Sequence, residues 1–158
     1  MKSPKAPAVP KAGLSDPRPP RTIVQATRLM YGGAALALVY AAVLVIVIAG
    51  AMAKLRAQHP HATTAQLQAT QGALITLAII SGLIEAVLWV LMARLNRAGA
   101  KWARIAASVL LAANTWNLIT QLTSGAAAVS VGDTALSWLI GAGAILLLWQ
   151  RDSAAYYA

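Results

Sequence analysis

Residues 72–92 read GALITLAIISGLIEAVLWVLM, twenty-one positions with a single charge, Glu85. An α-helix rises about 1.5 Å per residue, so about 20 apolar residues cross a hydrocarbon core of about 30 Å. This stretch has that length, and three others resemble it: Leu29–Met52, Trp102–Leu122 and Leu136–Trp149. Apart from Glu85 and Arg104 they hold no charge. The last reaches the required length only if it tilts little or begins near Gly132. The pattern predicts an all-α membrane protein, a left-handed up-down bundle of four transmembrane helices at about 29–52, 72–93, 102–122 and 134–150.

Composition agrees. Of 158 residues, 59% are hydrophobic and 11% charged, a balance that a water-facing surface does not tolerate. The net charge of +9 would raise nucleic acid as a partner if the basic residues formed one patch. They flank the spans instead, which points to phospholipid headgroups and to topology. With no cysteine, disulfides, thiolate metal sites and cysteine catalysis are excluded. The first apolar run starts some 28 residues in and is about 24 long, beyond the 7–15 residues of a signal-peptide core, so it is expected to remain as a span.

Charge then sets orientation. Lys2, Lys5, Lys11, Arg18, Arg21 and Arg28 precede the first span against one acid, Asp16. Arg94, Arg97, Lys101 and Arg104 surround the second connection, which has no acid. The first connection carries only Lys54 and Arg56, and the third only Asp133. Lys/Arg-rich flanks stay in the cytoplasm, so both termini and the second connection are expected inside, with the chain multi-pass in the plasma (inner) membrane. Arg94, Arg97, Lys101 and Arg104 are the expected contacts to anionic headgroups.

Along the chain, residues 1–21 form a basic, proline-rich segment expected to be a disordered cytoplasmic tail, 22–152 the transmembrane domain and 153–158 a short tail. Pro17-Arg18-Pro19-Pro20-Arg21 reads as a basic linker that touches lipid. Thr63 or Thr64 is the expected N-cap of the second helix, whose polar start would project beyond the membrane. His59-Pro60-His61 lacks a third ligand nearby and reads as loop. Asn96 and Gly99 suit the end of a helix, making spans two and three antiparallel neighbours. Asp133 or Gly132 is the expected cap of span four. Trp102 and Trp149 fall near the inner interface and Trp138 near the outer.

Helices in lipid associate through close packing of small residues. Gly33, Ala37 and Ala41 share one face of span one; Ser81 and Gly82 lie on span two, Ser137 and Gly141 on span four. Glu85 must face the bundle, because an exposed carboxylate at that depth is costly. Counted outward from the turn, Arg104 sits about five residues, roughly 7–8 Å, from its height, so an interhelical Glu85–Arg104 pair is expected. A proton or cation site at Glu85, or snorkelling to the interface, are the alternatives. Asn114, Asn117 and Gln121 form a stripe on span three, expected to bond neighbouring helices. With Glu85 they would also line a polar track.

The stretches Thr22–Ala34 (TIVQATRLMYGGA), Leu95–Arg104 (LNRAGAKWAR) and Leu146–Tyr157 (LLLWQRDSAAYY) resemble those of small four-span membrane proteins common in actinobacteria, which are largely uncharacterised. That resemblance implies architecture and host. Small multidrug transporters also have four spans and one membrane Glu, but theirs lies in the first span and their charge bias is weak.

No catalytic constellation is present: the only histidines, His59 and His61, are in a loop, and no HExxH or Gly-rich phosphate loop occurs. The sequence therefore predicts a non-enzymatic protein with no cofactor, acting as an interaction or accessory subunit toward a membrane protein or a second copy of itself. A small transporter or channel using Glu85 and the span-three stripe is the runner-up, and a phage-related role in lysis or superinfection exclusion the third reading. Topology reporters fused at residue 5, within Leu95–Ala100 or after Ala158 should report cytoplasm, and one within Gln58–Gln68 the outside. An external N-terminus, or three crossings, would overturn this arrangement.

Overall fold

The computed structural model describes residues 19–151 and Ser153. The tail expected over 1–21 lies outside these residues as far as residue 18, as does the end of the chain from residue 154. Five helices follow in order: α1 (Arg21–Gly50), α2 (Met52–Gln58), α3 (Thr64–Arg97), α4 (Lys101–Ser124) and α5 (Ala128–Leu148). All but α2 are long and apolar enough to cross a membrane. The described residues contain no strand, and the four long helices are compatible with a four-helix bundle.

Each of the four long helices starts before its apolar stretch. α1 starts two turns before Leu29. α3 starts at a capping box: the Thr63 hydroxyl accepts from the Gln66 amide at 3.2 Å, and the Gln66 side chain accepts from the Thr63 amide at 2.8 Å. At 34 residues, α3 is roughly 50 Å long, well beyond the hydrocarbon thickness. Its polar first turns are also used: the Gln71 amide donates to the carbonyls of Ile48 and Ala49, 3.1 Å each, at the end of α1. Between α3 and α4 the chain reverses at Gly99, whose φ of 72° suits glycine. There the Gly99 and Ala100 amides donate back to Asn96 and Leu95, while the Asn96 amide folds onto the Met92 carbonyl.

The expected cap of the fourth span is corrected. α5 begins at Ala128, after a turn in which Gly125 takes φ 68° and the Ala126 amide donates to Gln121. Asp133 and Gly132 therefore lie inside the helix, more than a turn from its start.

α1 is the hub. It packs along α3 and α5, and α5 in turn packs on α4. α3 and α4, although joined by a short turn, touch only sparsely. The α1–α3 seam is built from small residues four apart: Gly33, Ala37 and Ala41 on one side, Ala78, Gly82 and Ala86 on the other, all buried. A Cβ on Gly82 would collide with the Cβ of Ala41. One on Gly33 would lie 2.7 Å from the Trp89 ring. Gly141, with Leu111 3.2 Å and Trp89 3.6 Å from where its Cβ would stand, and buried Ser137 face α4 and α3 from α5. Ser81 departs from expectation: it is exposed, its hydroxyl bonded to the Ala78 carbonyl at 3.2 Å. One residue turns a helix by about 100°, and Gly82 occupies the seam that Ser81 is turned away from.

The densest packing lies at the end of the bundle that carries Arg28, Arg94, Arg97 and Arg151, called here the basic end. Ile23, Ala26 and Met30 of α1 meet Met92 and Ala93 of α3, Ala107 of α4, and Ala144 and Leu148 of α5. Ser153, which the sequence places beyond the bundle, is fully buried here. Its hydroxyl donates to the Leu147 carbonyl and accepts from Thr22, 2.8 Å each, clasping the start of α1 to the end of α5. α4 has only two buried residues, Ala103 and Ala107, both in its first two turns.

Adjacent glycines test this packing. Gly32 has nothing within 4 Å of a Cβ position, whereas Gly33 holds the Trp89 ring. Gly33→Ala should lower thermal stability in detergent by about 1–3 kcal/mol through overpacking. Gly32→Ala should be neutral or raise stability by up to about 1 kcal/mol, because alanine is the better helix former. Equal effects would show that the seam is not where the structure puts it.

Candidate ligand-binding cleft

Where α4 parts from α3, a cleft of about 380 Å³ opens. Glu85, Leu88, Trp89 and Met92 of α3 form one wall, and Leu110, Leu111, Asn114 and Asn117 of α4 the other. Asp133, Thr134, Ser137 and Gly141 of α5 close the back, and Met30 of α1 contributes at depth. The rim between α3 and α4 includes Leu88 and Leu110, 40% and 42% exposed, so the mouth faces sideways from the bundle.

Glu85 points into this space. Its Oε1 accepts from the Trp89 indole at 3.4 Å and from the Ser137 hydroxyl at 3.3 Å. Both distances exceed the usual range for such bonds, so the carboxylate is oriented but held loosely. Trp89 lies one turn along the same helix, and Ser137 reaches it from α5. Asp133 lies one turn from Ser137 on the same face of α5. Its Oδ1 is buried and has no hydrogen-bond partner among the described residues.

The expected Glu85–Arg104 pair does not form. Glu85 lies twelve residues before the end of α3 and Arg104 three residues into α4, an axial offset of about nine residues or roughly 13 Å. The separation is too great for the two side chains to bridge while α3 and α4 diverge. Arg104 stacks instead on Trp149, its guanidinium carbon 4.3 Å from the ring centroid, a cation–π contact at the basic end. Arg94, Arg97 and Lys101 are exposed at the same end.

The polar stripe of α4 divides in two. Asn114 and Asn117 line the cleft. Gln121 ties α4 to α5: its amide donates to Thr134 at 2.9 Å, and its carbonyl accepts from Ser130 at 2.9 Å. Trp138 to Thr115, at 2.8 Å, and Trp149 to Ser108, at 3.3 Å, extend the same seam. Beyond Arg104, no side-chain hydrogen bond links α4 to α3 among the described residues. α4 thus follows α5, and the cleft is what remains on the α3 side.

Sequence reasoning found Glu85, Asn114 and Asn117 but missed Asp133 and Trp89. A signal for both was present. Glu85 and Trp89 are four apart, as are Asp133, Ser137 and Gly141, and such spacings share a helix face. Reading Asp133 as a cap removed it from that pattern.

No protein family, curated protein or solved structure matches this chain. The chemistry of the cleft has to speak for itself. It combines two carboxylates, two amides and an indole with aliphatic walls, and among the described residues none that lines it is basic. Such a lining suits a small cation with some apolar surface.

Because Glu85 is the acceptor for Trp89 and Ser137, Glu85→Gln should keep both bonds through its carbonyl oxygen and leave thermal stability in detergent nearly unchanged. Glu85→Ala should cost about 1 kcal/mol, the usual scale for buried polar contacts between membrane helices. Equal losses would mean that the charge itself, and not the acceptor, holds this part of the bundle.

Proposed function

We propose that this chain is a multi-pass plasma-membrane protein, its basic end in the cytoplasm, that binds a small organic cation in the acidic cleft and carries it through the membrane. One observation carries this reading. The chain has a net charge of +9 and only four acidic residues, yet two of them face one cleft that no basic side chain lines among the described residues. Two like charges in a poorly solvated space repel, and a cation between them relieves that repulsion. The apolar walls favour a cation that carries hydrocarbon over one that keeps its water shell.

The sideways mouth supports a second reading, that of an accessory subunit. A partner helix seated along Leu88 and Leu110 would place a basic side chain between the two carboxylates. Neither reading requires catalysis or a cofactor.

The two separate on the purified protein alone. Tetraethylammonium should bind saturably in detergent and accumulate in proteoliposomes. Glu85→Gln and Asp133→Asn should each weaken binding about fivefold or more, and together abolish accumulation. Binding that survives the double substitution would overturn the cation site. No binding by the wild type, together with a co-purifying subunit that is lost in Glu85→Gln and Asp133→Asn, would favour the accessory role.

A further inference from the structure

On another face of α1 from the one that meets Trp89, a second and shallower groove runs between α1 and α5, with a volume of about 770 Å³. We propose that it is a binding site for one anionic phospholipid, with an acyl chain along the groove and the phosphate on Arg28. This rests on the membrane placement argued above and is independent of the cation cleft.

Three features carry it. The first is charge. Arg21, Gln25 and Arg28 lie on one face of α1 at the basic end, all three exposed, and Arg28 makes no ion pair among the described residues. Gln25 and Arg28 border the groove itself. A guanidinium recognises phosphate oxygens through paired donors, and Gln25, one turn away, adds an amide donor.

The second is length. From Arg28 the groove runs along Gly32, Leu36 and Val39, facing Ile140 and Leu147 of α5. Arg28 to Val39 spans eleven residues, roughly 16 Å, about half of a 30 Å hydrocarbon core and so the depth of one leaflet. Everything in the groove beyond Arg28 is apolar.

The third is Gly32. A glycine inside a helix costs about 0.5–1 kcal/mol relative to alanine, and Gly33 offsets that cost by seating Trp89. Nothing lies within 4 Å of a Cβ on Gly32, so protein packing does not require its bareness. It lowers the groove floor one turn from Arg28, where the first carbons of an acyl chain would lie.

The test is native mass spectrometry of the full chain, released from vesicles of phosphatidylglycerol and phosphatidylcholine with identical acyl chains. Wild type should retain phosphatidylglycerol about tenfold more than phosphatidylcholine. Arg28→Gln should reduce that preference to about twofold or less. Gly32→Leu, whose Cβ has nothing within 4 Å and whose side chain would occupy the groove, should lower retention of both lipids severalfold. Gly72→Leu, equally unobstructed but on α3, should change neither. Undiminished preference in Arg28→Gln, or undiminished retention in Gly32→Leu, overturns the site. Circular dichroism of each variant separates loss of the site from loss of fold. Release of the protein from membranes by alkaline carbonate, without detergent, would instead refute the membrane placement itself.

Discussion

The indole of Trp89 rests on the bare backbone of Gly33, and the rest of the bundle is arranged around that contact. The ring reaches from α3 to α1, stands 3.6 Å from where a Cβ on Gly141 of α5 would be, and donates its N–H to Glu85. In hydrocarbon, helices gain nothing from hiding apolar surface, and they associate where backbones approach closely and polar groups find partners. Gly33, Ala37 and Ala41 against Ala78, Gly82 and Ala86 supply the close approach. Trp89 then fills the space between three helices. With its ring seated, Glu85 is turned toward α5, where Ser137 meets it.

Away from the basic end, α4 belongs to this arrangement only through α5. Its hydroxyl and amide groups bond to Thr134, Ser130, Trp138 and Trp149, all on α5 or its immediate end. Nothing comparable ties it to α3 once the turn is passed. A short connection forces two helices to start side by side but does not oblige them to stay in contact. The bundle is therefore closed at the basic end, where Ala103 and Ala107 of α4 are buried, and open beyond it. The opening collects the acidic groups of the spans, and the basic groups are kept at the end by their flanking positions.

Gly32 and Gly33 show how far one residue's rotation carries in this fold. About 100° apart on α1, they face different chemistry. Gly33 is enclosed, and a single added carbon there meets the Trp89 ring. Gly32 is open and continues a stripe that begins with Arg21, Gln25 and Arg28. The same dipeptide thus serves packing inward and leaves a groove outward.

The sequence by itself determined the four long helices, an N-cap at Thr63 or Thr64, the reversal at Gly99 and the small-residue face of α1. Each of these depends on local composition or on spacing along one helix. Glu85 was legible as a residue that must face the interior, because a carboxylate in an apolar run has few alternatives. Its partners were not legible. Whether Glu85 meets Arg104 or Ser137 depends on axial offset and on the rotation of each helix about its own axis, which three- and four-residue spacings leave undetermined between helices. Asp133 escaped for a related reason: it enters the cleft only because α5 begins at Ala128, a boundary set by the tight turn at Gly125 and by the Gln121–Ser130 bond. Tertiary structure decided which faces meet, since helices in an apolar surrounding are selected by fit and polar pairing, and both are properties of pairs of helices.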